Sequence, residues 1–457
     1  MVSVSGMFCM LNVAEVEKDL GIDVFATACN GIGGVIRQKY EDFVVREIPS
    51  QPNSSQRSDM PERMGNYSVF WLQKRGLDTI VAIKRIARAL GVSQKRFSFA
   101  GMKDKKALTF QRVSAWNIAC EKLSNVNLNG IHISEVSQSN VRVSLGSNLG
   151  NQFSIVVRKI PFSLDEVDHR IQKISNEIQS SSGIPNFFGH QRFGLMRPIT
   201  HIVGLKILRG DFKDAVMDFL SATSRYEKAD ATAARDELRT TENFKLAALR
   251  FPVRLSYELA VLNRLASDPS NFANALRALP PRLLRMFVSA AQGWLFNRFL
   301  SRRLVKNMPL NHCEPGDLVS TLDGDGLVMG DTTLVGSSNM DEQNEKLRAG
   351  ASAVVYPIPG FDTKLPKGEM QRTVREIMHQ VDLVPRSFWI SKMPEISSPG
   401  IVRPIVVLPR GLKVTPFSSN SMNGSNASFE FSLVRGSYAT VLLREFMKSS
   451  DPLAAGY

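Results

Sequence analysis

The spacing of apolar residues changes period twice along this 457-residue chain, and that restricts the folds open to it. Up to about residue 160, short β-branched and aromatic runs dominate: Val35 onward, Tyr67–Leu72, Ile131–Val136, Val141–Leu145 and Phe153–Val157. Runs of this kind, bounded by turn residues, make strands. From about Gly204 the period lengthens to that of a helix, through Phe212–Leu220, Thr232–Arg239, Tyr257–Leu265, Asn271–Leu279 and Arg282–Val305. Short strands return over 315–358, at Arg403–Pro409 and at Phe429–Leu433. Strands crossed by helices, with a helical block in mid-chain, read as an α+β fold.

Local signals mark the ends of several elements. Asp78 precedes apolar residues at Ile80, Ile83, Ile86 and Leu90, and Gly91 caps the expected helix. Its outer face carries Lys84, Arg85 and Arg88, a basic stripe that is either solvated or turned to a polyanion. Ser163-Leu-Asp-Glu166 is a capping box with Val167, Ile171, Ile174 and Ile178 at helical spacing behind it. Helices are also expected over 368–381 and from Ser437 to Lys448. Phe287, Ala291, Trp294 and Leu295 share one helix face, which reads as core rather than as a platform for stacked bases. Gly31-Ile-Gly-Gly34 suits a turn at positive φ between two short strands; no helix pattern follows, so it is not read as a dinucleotide loop. The polar stretches 51–66 and 418–428 read as loops. Residues 1–12 lack the basic start of a signal peptide and read as an unstructured N-terminus or a misassigned start.

Charge and cysteine usage narrow the class of partner. Lys plus Arg outnumber Asp plus Glu by 57 to 43, a net +14, which favours a polyanion, nucleic acid before membrane. Cys9, Cys29, Cys120 and Cys313 are far apart and the six histidines are scattered. That pattern suits a reducing compartment and points to no metal site or disulfide framework.

The stretch with most chemical content runs from Arg96 to Gln111, Arg-Phe-Ser-Phe-Ala-Gly-Met-Lys-Asp-Lys-Lys-Ala-Leu-Thr-Phe-Gln. A strand-like run breaks at Gly101 and delivers one carboxylate, Asp104, among Lys103, Lys105 and Lys106, cations that favour a charged and available acid. From these residues alone Asp104 is equally a helix cap or a catalytic group.

The eleven residues from Gly101 to Gln111 resemble the Gly-x-Lys-Asp-x-x-Ala-x-Thr-x-Gln signature of the TruD family of pseudouridine synthases. A second signature of that family is matched by Asn186-Phe-Phe-Gly-His-Gln-Arg-Phe-Gly194, and Glu41-Asp-Phe-Val-Val-Arg-Glu47 is similar to its N-terminal motif. Gly436–Lys448 is close to its closing motif, with Val434-Arg435 as a departure. The resemblance, of archaeal type, covers Val13 to Lys448. It implies a pseudouridine synthase-like mixed or antiparallel sheet with flanking helices over 13–205 and 393–457, interrupted by a largely helical inserted TRUD domain over 206–392.

The same resemblance implies a cytoplasmic isomerase that converts uridine 13 of tRNA to pseudouridine, with no cofactor, no metal, no membrane and no obligate protein partner. Asp104 would be the catalytic carboxylate, as nucleophile or as base. Arg37, six residues before Phe43, would pair with it. Lys103 would be a second electrostatic partner or a phosphate contact, and Phe188 would stack on the flipped uracil. Asn186 would hold base or loop, and Arg192 would make an ion pair or clamp a phosphate. Phe43 would stack beneath the loop or pack in the sheet. The alternative function is that of an inactive RNA-binding relative acting as a tRNA chaperone.

Overall fold

The computed structural model describes residues 12–50, 65–365, 368–418 and 424–457. The expectation for the N-terminus up to residue 11, and for the loop stretches 51–64 and 419–423, lies outside the described residues. The chain opens with a short helix α1 (Glu15–Asp19) and strands β1 (Phe43–Pro49) and β2 (Tyr67–Arg75). Then come α2 (Thr79–Ala89), β3 (Phe97–Phe99), β4 (Leu108–Trp116), α3 (Cys120–Ser124), β5 (Ile131–Ser139), β6 (Asn148–Ile160) and α4 (Leu164–Ser180). A two-residue strand β7 (Ile184–Pro185) leads into α5 (Thr200–Arg209), α6 (Phe212–Ser221), α7 (Ala229–Thr241), α8 (Phe244–Arg250), α9 (Ser256–Ser267), α10 (Phe272–Leu276) and the long α11 (Pro281–Val305). The remainder is β8 (Leu318–Leu322), β9 (Val328–Leu334), α12 (Met340–Arg348), β10 (Ser352–Ile358), α13 (Glu369–Gln380), β11 (Ile401–Pro404), β12 (Val406–Val407), β13 (Arg410–Ser418), β14 (Ser425–Val434) and α14 (Ala439–Met447).

An eight-stranded sheet runs in the order β13-β14-β6-β1-β4-β2-β5, with β3 added beside β4. Its pairs are antiparallel except β1 with β4, so the sheet is mixed, within the expected α+β class. The chain leaves this sheet after β6 and regains it only at β13 and β14. In between it builds the helical block and a smaller sheet ordered β11-β10-β8-β9.

The local signals act as read. Asp78 caps α2 by accepting from the Ile80 N–H at 2.8 Å, and Gly91 ends the helix at φ +64°. Ala82, Ile83, Ile86 and Ala87 then bury against Phe70, Leu72 and Val113 of the sheet. Ser163 accepts from the Glu166 N–H at 3.3 Å, but the Glu166 carboxylate turns to Arg170 Nε (2.6 Å), so only the serine half of the expected capping box forms; Val167, Ile171, Ile174 and Ile178 enter the main core. Helices α5 and α11 cross closely because residue 204 is glycine: a Cβ there would sit 2.0 Å from the Phe287 carbonyl oxygen. Gly31 plays the same part at the end of α14, where Ile32 and Gly33 donate to the carbonyls of Phe446 (2.8 Å) and Met447 (3.0 Å). Those bonds satisfy carbonyls that a helix end leaves without partners.

Several expectations are corrected. Val141–Leu145 is irregular, with Val141 and Leu145 exposed, since only single bonds such as Val143 N–H to Ser114 Oγ (3.0 Å) hold it to the sheet. Before β1 the glycine turn is followed by one isolated bridge, Val35 with Arg158, rather than a strand. Arg403–Pro409 does not return to the large sheet. Its first part, within β11, pairs with β10, and Val406–Val407 pairs with β7, because prolines at 404 and 409 remove the donors a longer central strand needs. Ser425–Ser428, expected in a loop, is strand paired with β6 and β13. The last helix starts at Ala439, two residues late, and α1, α5, α8 and α12 lacked a legible pattern.

Two histidines are sealed into this core. His190 packs edge-on to Tyr457 at 5.6 Å, and His201 on α5 lies between Phe193 (5.2 Å) and Trp294 (6.3 Å). Burial pulls His190 down to about 3 and His201 to about 4, so both are neutral when folded. The unfolded chain binds these protons first, so their stabilisation is complete above the ordinary histidine value and is lost as pH falls towards 4. At pH 5 each costs about 2 kcal/mol relative to pH 7. Urea unfolding of wild type and His201→Phe at the two pH values checks this: the variant should lose about 2 kcal/mol less, and parallel losses would contradict it.

Candidate active site

Between β3 and β4 the chain runs through residues 100–107 without regular structure, and buried polar groups hold it in place. Lys74, near the end of β2, donates from Nζ to the carbonyls of Leu77 (2.8 Å), Asp104 (2.8 Å) and Lys103 (3.3 Å). Three ammonium protons thus meet three acceptors. Burial lowers the Lys74 ammonium to about 8, opposed by the charges of Asp104 and Asp78. Thr79 accepts from the Lys103 N–H (3.2 Å) and donates to Gln111 Oε1 (3.0 Å). Gln111 Nε2 in turn donates to the Gly101 carbonyl (3.2 Å), closing the base of the loop. Ala107 is fully buried and accepts from the Gly76 N–H at 3.2 Å.

The loop turns the Asp104 carboxylate outward, 35% exposed, towards a guanidinium that is only 6% exposed: Arg37 Nη2 lies 3.6 Å from Asp104 Oδ1. Arg37 sits at φ +60°, a region that non-glycine residues adopt only when the surroundings enforce it. Those surroundings are the Gly456 carbonyl, which accepts from Arg37 Nη1 at 2.5 Å, and the Phe43 ring, 4.0 Å beneath the guanidinium carbon. Burial lowers the Arg37 pKa and the Asp104 charge opposes the shift. Arg37 remains a cation at any working pH.

Lys103 is not the second partner of Asp104. Its ammonium turns inward to the buried carboxylate of Glu47 (2.9 Å) and donates to Asn151 Oδ1 (2.8 Å). The physical reason is Glu47 itself, an inward-facing acid on β1 that needs a cation where water does not reach. Lys105 and Lys106 stay exposed.

Asp104 borders a cleft of about 420 Å³. Phe43, Asn151 and Phe153 of the sheet form one wall, and Gln191, Tyr438 and Thr440 form the other. Thr440 Oγ1 lies 3.2 Å from Gln191 Oε1 and joins the second signature to α14. Asp78 also lines the cleft, but its carboxylate is engaged in capping α2. That leaves Asp104 as an acid in the cleft whose carboxylate pairs with a buried arginine.

The second signature lies one layer behind. Phe188, expected to stack on the substrate base, is 4% exposed and does not line the cleft. Its ring meets Phe296 edge-on at 5.7 Å and Tyr438 at 6.1 Å, with the guanidinium of Arg403 at 4.2 Å and that of Arg192 at 5.1 Å. Gly293 on α11 leaves room for it, and Asn297 binds its backbone from both sides, accepting from its N–H (2.8 Å) and donating to its carbonyl (3.0 Å). Asn186 is likewise turned away from the cleft: Oδ1 accepts from Arg403 Nη2 at 2.6 Å, and Nδ2 donates to the Pro404 carbonyl at 3.0 Å. It borders a larger hollow of about 880 Å³ between the two sheets, with His312, Arg348 and Arg410 also on its lining. Arg192 makes no ion pair among the described residues, and its buried Nε has no partner.

Lys74, Glu47, Arg403, Tyr438 and Gly456 were not singled out in the sequence. An acid at an inward strand position was the available signal for Glu47, whereas Lys74, between Gln73 and Arg75 at the polar end of β2, carried none. The others depend on contacts between distant segments.

This mixed α+β architecture, whose large sheet the chain leaves and regains, is that of a pseudouridine synthase, as the comparisons with known proteins show. The profile of tRNA pseudouridine synthase D (TruD) matches residues 19–446. A protein of Methanosarcina barkeri named "Probable tRNA pseudouridine synthase D" is 35% identical over 449 residues, covering 97% of this chain and 99% of that one. One of the same name from Thermococcus onnurineus is 35% identical over 420 residues, covering 92% and 95%. The crystal structure of a Methanosarcina mazei protein described as "Putative tRNA pseudouridine synthase D (TruD)" superposes with a TM-score of 0.82 at 35% identity, over 97% of this chain and all of that one. This chain belongs to the TruD family of pseudouridine synthases. Among the described residues no helix is long and apolar enough to cross a membrane.

Proposed function

We propose that the chain isomerises uridine 13 of tRNA to pseudouridine and that Asp104 is its catalytic carboxylate. The observation that carries this reading is the pairing of Asp104 with buried Arg37 at the edge of a cleft. Isomerisation breaks the C1′–N1 bond, turns the uracil, and joins C1′ to C5; C5 loses a proton and N1 gains one. A carboxylate suits this either by attacking C1′ or by removing a sugar proton to drive cleavage. Arg37 lies against the Asp104 carboxylate and orients it. The target uridine must leave its stack to enter. Tyr438 then offers the ring that would keep free uracil from escaping, with Phe188 supporting it from behind and buried Phe43 carrying the Arg37 guanidinium on its ring. The positive charge of Arg192 and Arg403 lies behind the same wall, and the separate larger hollow, with His312, Arg348 and Arg410 on its lining, offers further cations to a polyanion.

The test is to incubate the protein with an unmodified tRNA transcript and map pseudouridine by carbodiimide primer extension. One new stop, one nucleotide 3′ of position 13 and absent from a transcript with cytidine there, is expected. Tight binding with no stop would instead favour the chaperone, and a stop elsewhere would overturn the position.

A further inference from the structure

A hollow of about 400 Å³, almost the size of the cleft at Asp104, lies in the helical block and plays no part in the reading above. The end of α5, the start of α6 and the segment 384–392 enclose it. Its floor is apolar and well packed, from Ile207, Leu208 and Phe212. Its wall is Trp389, an indole left 54% exposed, which meets Phe361, itself 37% exposed, edge-on at 5.4 Å. Three cations line it, Arg209, Arg386 and Lys392, and no carboxylate does. Arg209 pairs with Asp211 at 3.5 Å, whereas Arg386 and Lys392 have no ion pair among the described residues. Lys392 Nζ lies 5.7 Å from the Phe212 ring centre, at the mouth.

An aromatic wall over an apolar floor takes a flat heterocycle, and a rim with two cations free of ion pairs among the described residues takes the anionic backbone attached to it. We propose that this hollow binds one unstacked nucleobase of the RNA substrate, stacked on Trp389, with Arg386 and Lys392 on its flanking phosphates. The proposal rests on the reading of tRNA as substrate. Helix α5 separates the two sites. Its first residue, Thr200, donates from N–H to the Phe193 carbonyl (3.2 Å), two residues from Leu195 of the cleft, and its last turn forms the hollow. Ten helical residues span about 15 Å, so the base held here belongs to a nucleotide other than the one that reacts.

The experiment uses the full chain and an unmodified tRNA transcript, with Trp389→Ala, Trp389→Phe and the double variant Arg386→Gln/Lys392→Gln. Filter binding across a KCl series gives Kd, and steady-state pseudouridine formation gives KM and kcat. Trp389→Ala should weaken Kd and raise KM about tenfold while kcat stays within about twofold, and Trp389→Phe should recover most of the loss. The double variant should reduce the slope of log Kd against log salt by about one to two. Unchanged Kd and salt slope in all variants would overturn the proposal and leave the patch to a protein partner. A fall in kcat together with the melting temperature would overturn it too, by showing a structural role. If the wild type binds tRNA but forms no pseudouridine, the isomerase reading fails, and the Kd ratios still decide this contact.

Discussion

Asp104→Asn should form less than about one-thousandth of the wild-type pseudouridine while binding tRNA within about threefold. The amide keeps the shape of the carboxylate, and the contacts that set the loop do not involve that side chain. Lys74 holds the backbone carbonyls of Leu77, Lys103 and Asp104, and Gln111 holds that of Gly101. What the substitution removes is the anion opposite Arg37 and the lone pairs that would reach the sugar. Because Arg37 is only 6% exposed while Asp104 is 35% exposed, the loss of the carboxylate should lower stability by about 1–3 kcal/mol. The measurement is primer-extension mapping in parallel with filter binding and a melting curve. Activity above about a tenth of wild type would remove Asp104 from the chemistry, and lost binding with intact folding would make it an RNA contact.

The largest effect on stability is expected at Arg444, which touches neither cleft nor loop. Its guanidinium is buried between two buried carboxylates, Glu17 and Glu445, each 3.0 Å away, and lies 3.9 Å over the Phe25 ring. Glu445 also accepts from the N–H groups of Ala26 (3.0 Å) and Thr27 (3.1 Å) and from Thr27 Oγ1 (3.0 Å). These contacts bind residues 13–36, the segment that delivers Arg37, to the last helix. Arg444→Met leaves two acids in a dry interior without a cation, and should cost about 3–5 kcal/mol at pH 8. Burial already raises the Glu17 pKa, and the Arg444 charge is what chiefly opposes it. Without Arg444 the folded pKa of Glu17 rises further, so the variant is favoured by protonation and its deficit should shrink as pH falls towards 5. Urea unfolding at the two pH values decides it: a deficit below about 1 kcal/mol, or one that grows in acid, would show that Arg444 is not the clasp.

Much of the site's machinery was legible where the signal was local. Ser163 and Asp78 cap the helices they precede, because a side-chain oxygen two or three residues ahead of a free N–H needs nothing from the rest of the chain. The break at Gly101 was legible as the start of a loop carrying Asp104, and the resemblance supplied Arg37 as its partner. Lys103 and Phe188 were not legible in the same way. Both lie in signatures that pointed towards substrate, yet Lys103 answers the buried charge of Glu47, and Phe188 fills space that Gly293 leaves on α11. Their roles depend on which residue faces them.

The sequence by itself determined the periodicity, the cap residues, the excess of positive charge and the family signatures, and with them the α+β class and the catalytic candidate. These properties belong to a residue and its near neighbours in the chain, and so they survive without a fold. Only the tertiary structure decided that Arg403 holds Asn186 away from the cleft, that Gly456 braces Arg37, and that Ile401–Pro404 joins the smaller sheet. An amphipathic pattern states which face of an element is buried and is silent about the partner that buries it. Those partners are set by packing across the whole core and by the need of every buried charge for a counter-charge, and both exist only once the chain has closed on itself.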